Sequence, residues 1–350
     1  MNQRIICTSI VLVLLTYTAW AQTSSAVMEM QQGVLDKAKT NIDKATNNEK
    51  SARKAKTWYY RGEIYARIAA SDPNLPYLAL DKKAIDVAYE AYQKAKTLEE
   101  DKKGYYKDAQ QGIENLQPIA INHAVSMYKE KDLDRAIEDL KVAHEINPKD
   151  TTALSYGSVM SLEAKKTDDY LFFAEKLLDL DIPYTQKRPH YINVAVTYRD
   201  KKEIDKAANL IQEAIKENEK DKDLHLILGE LYLIEKQHDK ALQVYENAYK
   251  FFPDDFTFVA NLGRLHYDKA SRASKKLTNA EKTPTPEETK AVNQEIEVAL
   301  KDALPYLEKA HQMEQKDLDI LDLLAIAYDQ LGMDEKREVV KKKIAAIEKS

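Results

Sequence analysis

The stretch KDLHLILGELYLIEKQHDKALQVYENAYKFFPDD, at positions 222–255, decides the fold of this chain. Apolar residues recur every three or four positions on both sides of the polar run 235–240, which is the spacing of two amphipathic helices. Gly229 in the first helix and Ala241 in the second allow the two helices to approach closely. Pro253 cannot continue a helix and separates this pair from the next. The stretch therefore predicts one helical hairpin.

The same pattern recurs along the chain at one constant interval. Ala195, Gly229 and Gly263 form one equally spaced series of small residues, and Ala207 and Ala241 form a second with the same spacing. A fixed period of about 34 residues is typical of stacked helical hairpins, each of which buries its apolar face against its neighbours. We therefore expect an all-α solenoid.

Residues 222–255 resemble the tetratricopeptide repeat family, whose pattern is W-x2-L-G-x2-Y, then A-x3-F, then P. The matching markers are Leu228, Gly229, Tyr232, Ala241 and Pro253. His225 replaces the tryptophan of the pattern, and Tyr245 replaces its phenylalanine. The resemblance implies an α/α superhelix, a right-handed solenoid of helix-turn-helix repeats that binds proteins or peptides. With the N-terminal features below, the chain resembles exported repeat proteins of Bacteroidetes-type bacteria.

The repeat pattern predicts a single solenoid over residues 22–350. It divides into a half-repeat at 28–50 and repeats at about 55–101, 117–150, 151–187, 188–221, 222–255, 256–317 and 318–350. Two of these repeats are longer than the others, which predicts insertions at about 71–81 and 271–298. We expect the second insertion to lengthen two helices joined at 282–286, with Thr285, Pro286 and Glu288 forming a capping box. A disordered loop is the alternative.

The N-terminus has the composition of a signal peptide. Arg4 precedes a mostly apolar stretch at 5–20, and Ala19-Trp20-Ala21 provides a small-residue cleavage motif. The apolar stretch is shorter than the roughly 20 residues of a spanning helix, although a membrane anchor is the alternative. We expect a signal peptide at 1–21, cleavage between Ala21 and Gln22, a periplasmic location and no membrane span in the mature chain. Cys7, the only cysteine, would be removed with it.

Composition excludes several classes of function. The formal net charge of −5 argues against general nucleic-acid binding. The seven histidines show no metal-binding spacing, and no glycine-rich phosphate motif occurs. We therefore expect no catalytic residue, no cofactor and no metal, and a protein or peptide as partner.

The family resemblance also implies a binding face, because the first helices of such repeats line a concave groove. Transferred by motif register, the groove would contain Asn122, Tyr128, Asn193, Arg199, Asp223, Asn261, Arg264 and Tyr267. The three asparagines each lie two positions before the small residue of their own repeat, and an amide there could hydrogen-bond an extended peptide. Alternatively, asparagine is simply tolerated at a wet surface.

Three functional hypotheses follow. The first is a non-enzymatic scaffold of the cell envelope that binds a protein or peptide through the concave groove. The second is a structural subunit of an envelope assembly that docks through the inserted helices. The third is an enzyme, such as a glycan-active one, built on a helical superhelix; it requires a cleft with clustered carboxylates.

Overall fold

The computed structural model describes residues 22–71, 77–99, 101–278 and 283–349, and every regular element within these ranges is helical. This confirms the predicted all-α fold, a solenoid of helical hairpins. Close backbone contacts divide the chain into two compact units, the first ending at Ile182 and the second beginning at Pro183. The predicted signal peptide at 1–21 lies outside the described residues, as does the part of the first insertion at 72–76. The single solenoid over 22–350 stays a prediction.

The first unit is built on helical hairpins that share one apolar core. Its described helices are α1 (22–31), α2 (Leu35–Asn47), α3 (Glu49–Ala52), α4 (Ala55–Ala69), α5 (Ala84–Thr97), α6 (Tyr105–Lys129), α7 (Leu133–Ile146), α8 (Thr151–Glu163) and α9 (Thr167–Leu178), with a 3-10 turn at Leu78–Leu80 between α4 and α5. The pairs α4–α5, α6–α7 and α8–α9 form the hairpins. Helix α6 begins at Tyr105, well before the repeat predicted at 117–150, and its additional turns pack against α4 and α5.

The second unit continues the same alternation of first and second helices. Its described helices are α10 (Tyr184–Asp200), α11 (Ile204–Glu217), α12 (Lys222–Ile234), α13 (His238–Tyr249), α14 (Phe256–Thr278), α15 (Pro286–Met313), α16 (Leu318–Gln330) and α17 (Asp334–Ile347). Hairpins form between α10 and α11, α12 and α13, α14 and α15, and α16 and α17.

Within the hairpins, the glycine of the first helix contacts a large side chain of the second. A Cβ atom built on Gly157 would lie 2.5 Å from the ring of Phe173, and one built on Gly229 would lie 2.3 Å from the ring of Tyr245. Both rings follow their glycine at the same offset along the chain and are almost completely buried. The small residues of the repeat therefore provide space for a large side chain of the second helix, which is why they recur with the period of the hairpin.

The inserted hairpin keeps this contact although its helices are longer. Gly263 on α14 packs against Leu307 on α15, so the insertion separates the two residues along the chain but not in space. Helix α15 starts with the predicted capping box: Thr285 Oγ1 accepts from the Glu288 backbone N–H at 3.2 Å, and Glu288 Oε2 accepts from the Thr285 N–H at 2.7 Å. Residues 271–278 and 286–298 are helical, so the disordered-loop alternative is wrong for them.

Candidate protein-binding surfaces

In the second unit, the predicted face on the first helices contains a small depression between α10 and α12. Its volume is about 50 Å³, and Val196, Arg199, Ile227 and Glu230 line it. The Arg199 guanidinium donates to the adjacent Asp200 carboxylate, with Nη2–Oδ1 at 3.0 Å. Asn193 lies exposed on the same helix. This depression brings one predicted site residue, Arg199, against apolar side chains of the next first helix.

Asp223 has its charge partner within the unit. Arg188 Nη2 donates to Asp223 Oδ2 at 2.6 Å and to Asp221 Oδ1 at 3.1 Å, so one guanidinium bridges both carboxylates. Burial alone would raise the pKa of Asp221. The hydrogen bonds from Arg188 and Tyr184 have the larger effect, so the pKa of Asp221 lies below its ordinary value. The Arg188 bridge links α10 to the start of α12, and Asp223 is one of its two anchors.

The remaining predicted residues of this unit lie on α14. Arg264 Nη2 is 3.9 Å from carboxylate oxygens of Asp317 and Asp319 at the start of α16. Asn261 and Tyr267 are half-buried. The Tyr267 side chain packs on an apolar cluster that includes Leu300, and burial raises the pKa of its hydroxyl. No described contact joins these three side chains to Asn193 or Arg199.

In the first unit, Asn122 and Tyr128 lie exposed on α6. The Tyr128 hydroxyl donates to Glu163 Oε2 on α8 at 2.8 Å, and this bond to a carboxylate raises the pKa of the phenol. The bond spans from one first helix to the next, so α6 and α8 present a common surface. The Tyr128 side chain remains 37% exposed on that surface.

Helix α8 adds three exposed apolar side chains that the sequence reasoning did not identify. Tyr156, Val159 and Leu162 are 43%, 61% and 52% exposed. At about 100° of rotation per residue, these three positions and Glu163 fall within about a third of the helix circumference. Their opposite side is the buried core face of α8. We call Tyr128, Tyr156, Val159 and Leu162 the α6–α8 patch.

A deeper surface feature lies in the second unit, on the side of the second helices. A groove of about 750 Å³ runs between α11 and α13 and has residues of α12 as its floor. The floor includes Leu228 and Tyr232, and His225 Nε2 donates to the backbone carbonyl of Glu219 at 2.8 Å at one end. None of the eight predicted site residues lines it. We call this feature the α11–α13 groove.

Across 22–71, 77–99, 101–278 and 283–349, no group of three or more His, Cys, Asp or Glu side chains is arranged to hold a metal ion. Among the helices within these ranges, none is both long enough and apolar enough to cross a membrane.

Comparison with known proteins identifies one family. Residues 195–256 match the tetratricopeptide repeat model, and no curated protein matches the chain. A solved repeat protein from Bacteroides fragilis is 17% identical, with 62% of this chain and 98% of that chain covered and a TM-score of 0.46. The C-terminal part of a repeat protein from Cytophaga hutchinsonii is 15% identical, with 77% and 96% covered and a TM-score of 0.45. YrrB, described as having an unusual peptide-binding site, is 18% identical, with 58% and 89% covered and a TM-score of 0.35.

Proposed function

The chain is a tetratricopeptide repeat protein, and from this premise we propose that it is a non-enzymatic scaffold that binds a protein or peptide on its first-helix face. Repeats of this family act in protein interaction, and the chain shares that general role. The finer proposal concerns the surface. In the first unit, we assign binding to the α6–α8 patch, which extends the predicted groove from Tyr128 onto α8.

The exposed apolar ridge on α8 carries this proposal. A helix that packs one face on a core normally exposes polar residues on the other, whereas α8 exposes Tyr156, Val159 and Leu162. Contiguous apolar surface of this kind typically marks an interaction site. Tyrosine suits such a site because it offers a large contact area and loses little conformational entropy. The hydrogen bond between Tyr128 and Glu163 holds one such ring at the edge of the ridge.

We expect a photocrosslinker at the patch to capture a partner directly. Benzoylphenylalanine at Tyr156 should give a discrete protein adduct in the producing cell, and the double substitution Val159→Glu with Leu162→Glu should reduce that adduct at least tenfold. The reason is that two buried carboxylates at an apolar interface would lose hydration without a partner. Immunoblotting and mass spectrometry of the adduct provide the measurement.

Benzoylphenylalanine at Lys176 is the matched control, because this side chain lies exposed on the second helix α9 of the same repeat. Adducts of equal yield from Tyr156 and Lys176 would contradict the proposal, as would a Tyr156 adduct that survives the double substitution. Both substituted side chains are more than half exposed, so we expect their folding free energy to change by no more than about 0.5 kcal/mol each.

We also propose that the scaffold acts in the cell envelope after export. The support is the composition of residues 1–21, in which a basic start, an apolar stretch and an A-x-A motif follow in order. We expect the mature protein, expressed in a Gram-negative host, to begin at Gln22 and to be released with the periplasmic fraction. Intact-mass measurement of the purified protein tests this, and a mass that includes residues 1–21 would overturn it.

A further inference from the structure

The α11–α13 groove is distinct from the surface to which the proposed function is assigned. It lies in the second unit and on the second helices, and its volume of about 750 Å³ falls within the range of sites that bind small ligands or short peptides. Apolar side chains line it on all three helices, with Leu228 on the α12 floor, Ile215 on α11 and Val244 on α13. Phe251 closes one end and is 38% exposed. The groove thus contains solvent-accessible apolar surface that a ligand could cover.

The walls of the groove carry side-chain amides on both helices. Asn209 on α11 and Gln243 on α13 line it and lie exposed, and they occupy equivalent positions of successive repeats. Gln212 donates to the Tyr232 hydroxyl at 2.5 Å, so its own carbonyl oxygen remains able to accept. Asn247 accepts from Lys250 at 2.8 Å and keeps its NH₂ group as a donor. Amides on two facing walls can pair with the N–H and C=O groups of an extended backbone.

The charge of the groove is opposite to that of the whole chain. Lys216, Lys240 and Lys250 line it with Glu219 as the only acidic side chain among its lining residues, whereas the chain has a net charge of −5. Within the described part of the chain, none of the three lysines forms an ion pair. The Lys240 ammonium lies 5.2 Å from the centre of the Tyr232 ring, at the border between wall and floor. The positive charge of the three lysines is therefore available to a ligand.

We propose that the α11–α13 groove binds an extended acidic segment of a partner protein. The wall amides hold the backbone of the segment, the lysines pair with its carboxylates, and the floor receives its apolar side chains. This charge pattern favours acidic over basic sequences and makes association sensitive to salt. The inference does not depend on the α6–α8 patch, which lies in the other unit.

Isothermal titration with three probe peptides tests the proposal. Each peptide is an acetylated, amidated hexapeptide in which leucine alternates with glutamate, glutamine or lysine. We expect the glutamate peptide to bind the chain from Gln22 onward at least tenfold more tightly than the lysine peptide at 50 mM NaCl. Its affinity should fall several-fold at 300 mM NaCl, because exposed charges are screened.

Two variants locate the binding. The pair Lys216→Glu with Lys240→Glu should weaken binding of the glutamate peptide at least tenfold, and Asn247→Trp, which fills the groove without a charge change, should do the same. The control pair Lys341→Glu with Lys342→Glu makes the same change in net charge on exposed positions of α17 and should alter the affinity less than twofold. No binding at 1 mM peptide, equal binding of the lysine peptide, or equal loss in the control pair would overturn the proposal. The crosslinking result at Tyr156 is independent of each of these outcomes.

Discussion

Replacing Asp139 with asparagine is expected to lower the free energy of unfolding of the first unit by about 3–5 kcal/mol. Asp139 is fully buried on α7, and its carboxylate makes three close contacts with two side chains, Arg135 and His123. Arg135 donates to Oδ1 through Nε at 2.9 Å and Nη2 at 2.6 Å, and His123 Nδ1 lies 2.6 Å from Oδ2. Asparagine removes the charge and turns one acceptor into a donor, so Arg135 and His123 are left with unpaired groups in the core.

The arginine links this buried pair to the surface. Its guanidinium also forms a bidentate pair with Asp86 on α5, with contacts of 2.6 and 3.0 Å, and the Asp86 side chain is 31% exposed. One network therefore connects α5, α6 and α7. Removing one member of a buried ionic network is costly because the others lose their partner after they have already lost their hydration.

The double substitution His123→Leu with Asp139→Leu should recover part of this loss, because His123 no longer faces an amide, whereas the Arg135 Nε–H still lacks its acceptor. An apolar pair of similar volume needs no hydrogen bonds, and Arg135 would keep Asp86. Urea titration of the chain from Gln22 onward, followed by tryptophan fluorescence, measures this in the first unit, because Trp58 is then the only tryptophan.

Asp134→Asn provides a control on the same helix, since its side chain is 77% exposed in its pair with Lys166. We expect a change of no more than about 0.5 kcal/mol there. A loss below about 1 kcal/mol for Asp139→Asn would show that the network contributes little to stability. A double variant less stable than Asp139→Asn would show that the pair cannot be replaced by apolar side chains.

Two residues of this network, His123 and Asp139, stand out when the repeats of the sequence are aligned with one another. His123 precedes its small residue Ala124, and the equivalent positions of other repeats hold Val194, Leu228 and Leu262. Asp139 likewise stands where two later second helices carry Leu210 and Val244. Two polar residues at apolar positions of one hairpin are expected to pair, since each would otherwise be buried without a partner. Their distances and the link to Asp86 required the structure.

The two candidate surfaces were predictable to different degrees. The equally spaced series of small residues located the hairpins, because helix packing requires small residues at a fixed interval. It also placed Tyr128 and Arg199 on first helices, where both side chains are exposed. The series did not identify the exposed ridge on α8. Apolar residues lie on two sides of this helix, so the hydrophobic pattern does not show which side faces the core and which faces solvent. Asn209 and Gln243 share a repeat position, but sequence does not show that a groove opens between their helices.

A second large effect is expected where Tyr92 lies between two glycines. The ring of Tyr92 on α5 is 1% exposed, and its hydroxyl donates to Glu63 at 2.8 Å. A Cβ atom built on Gly62 of α4 would lie 2.5 Å from this ring, and one built on Gly112 of α6 would also lie 2.5 Å from it. The two glycines thus contact the same ring from two different helices. A ring confined in this way cannot move to admit a methyl group.

Gly112→Ala should therefore destabilise the first unit by about 1–3 kcal/mol, although alanine favours a helix over glycine by about 1 kcal/mol. In a Tyr92→Ala background, which itself costs about 3–5 kcal/mol, the same substitution should stabilise the unit by up to about 1 kcal/mol, because the ring is gone and only the helix preference remains. The four proteins form a double-mutant cycle, measured by urea titration with Trp58 fluorescence. Destabilisation of equal size in both backgrounds would show that the cost of alanine at Gly112 arises elsewhere than at the Tyr92 ring.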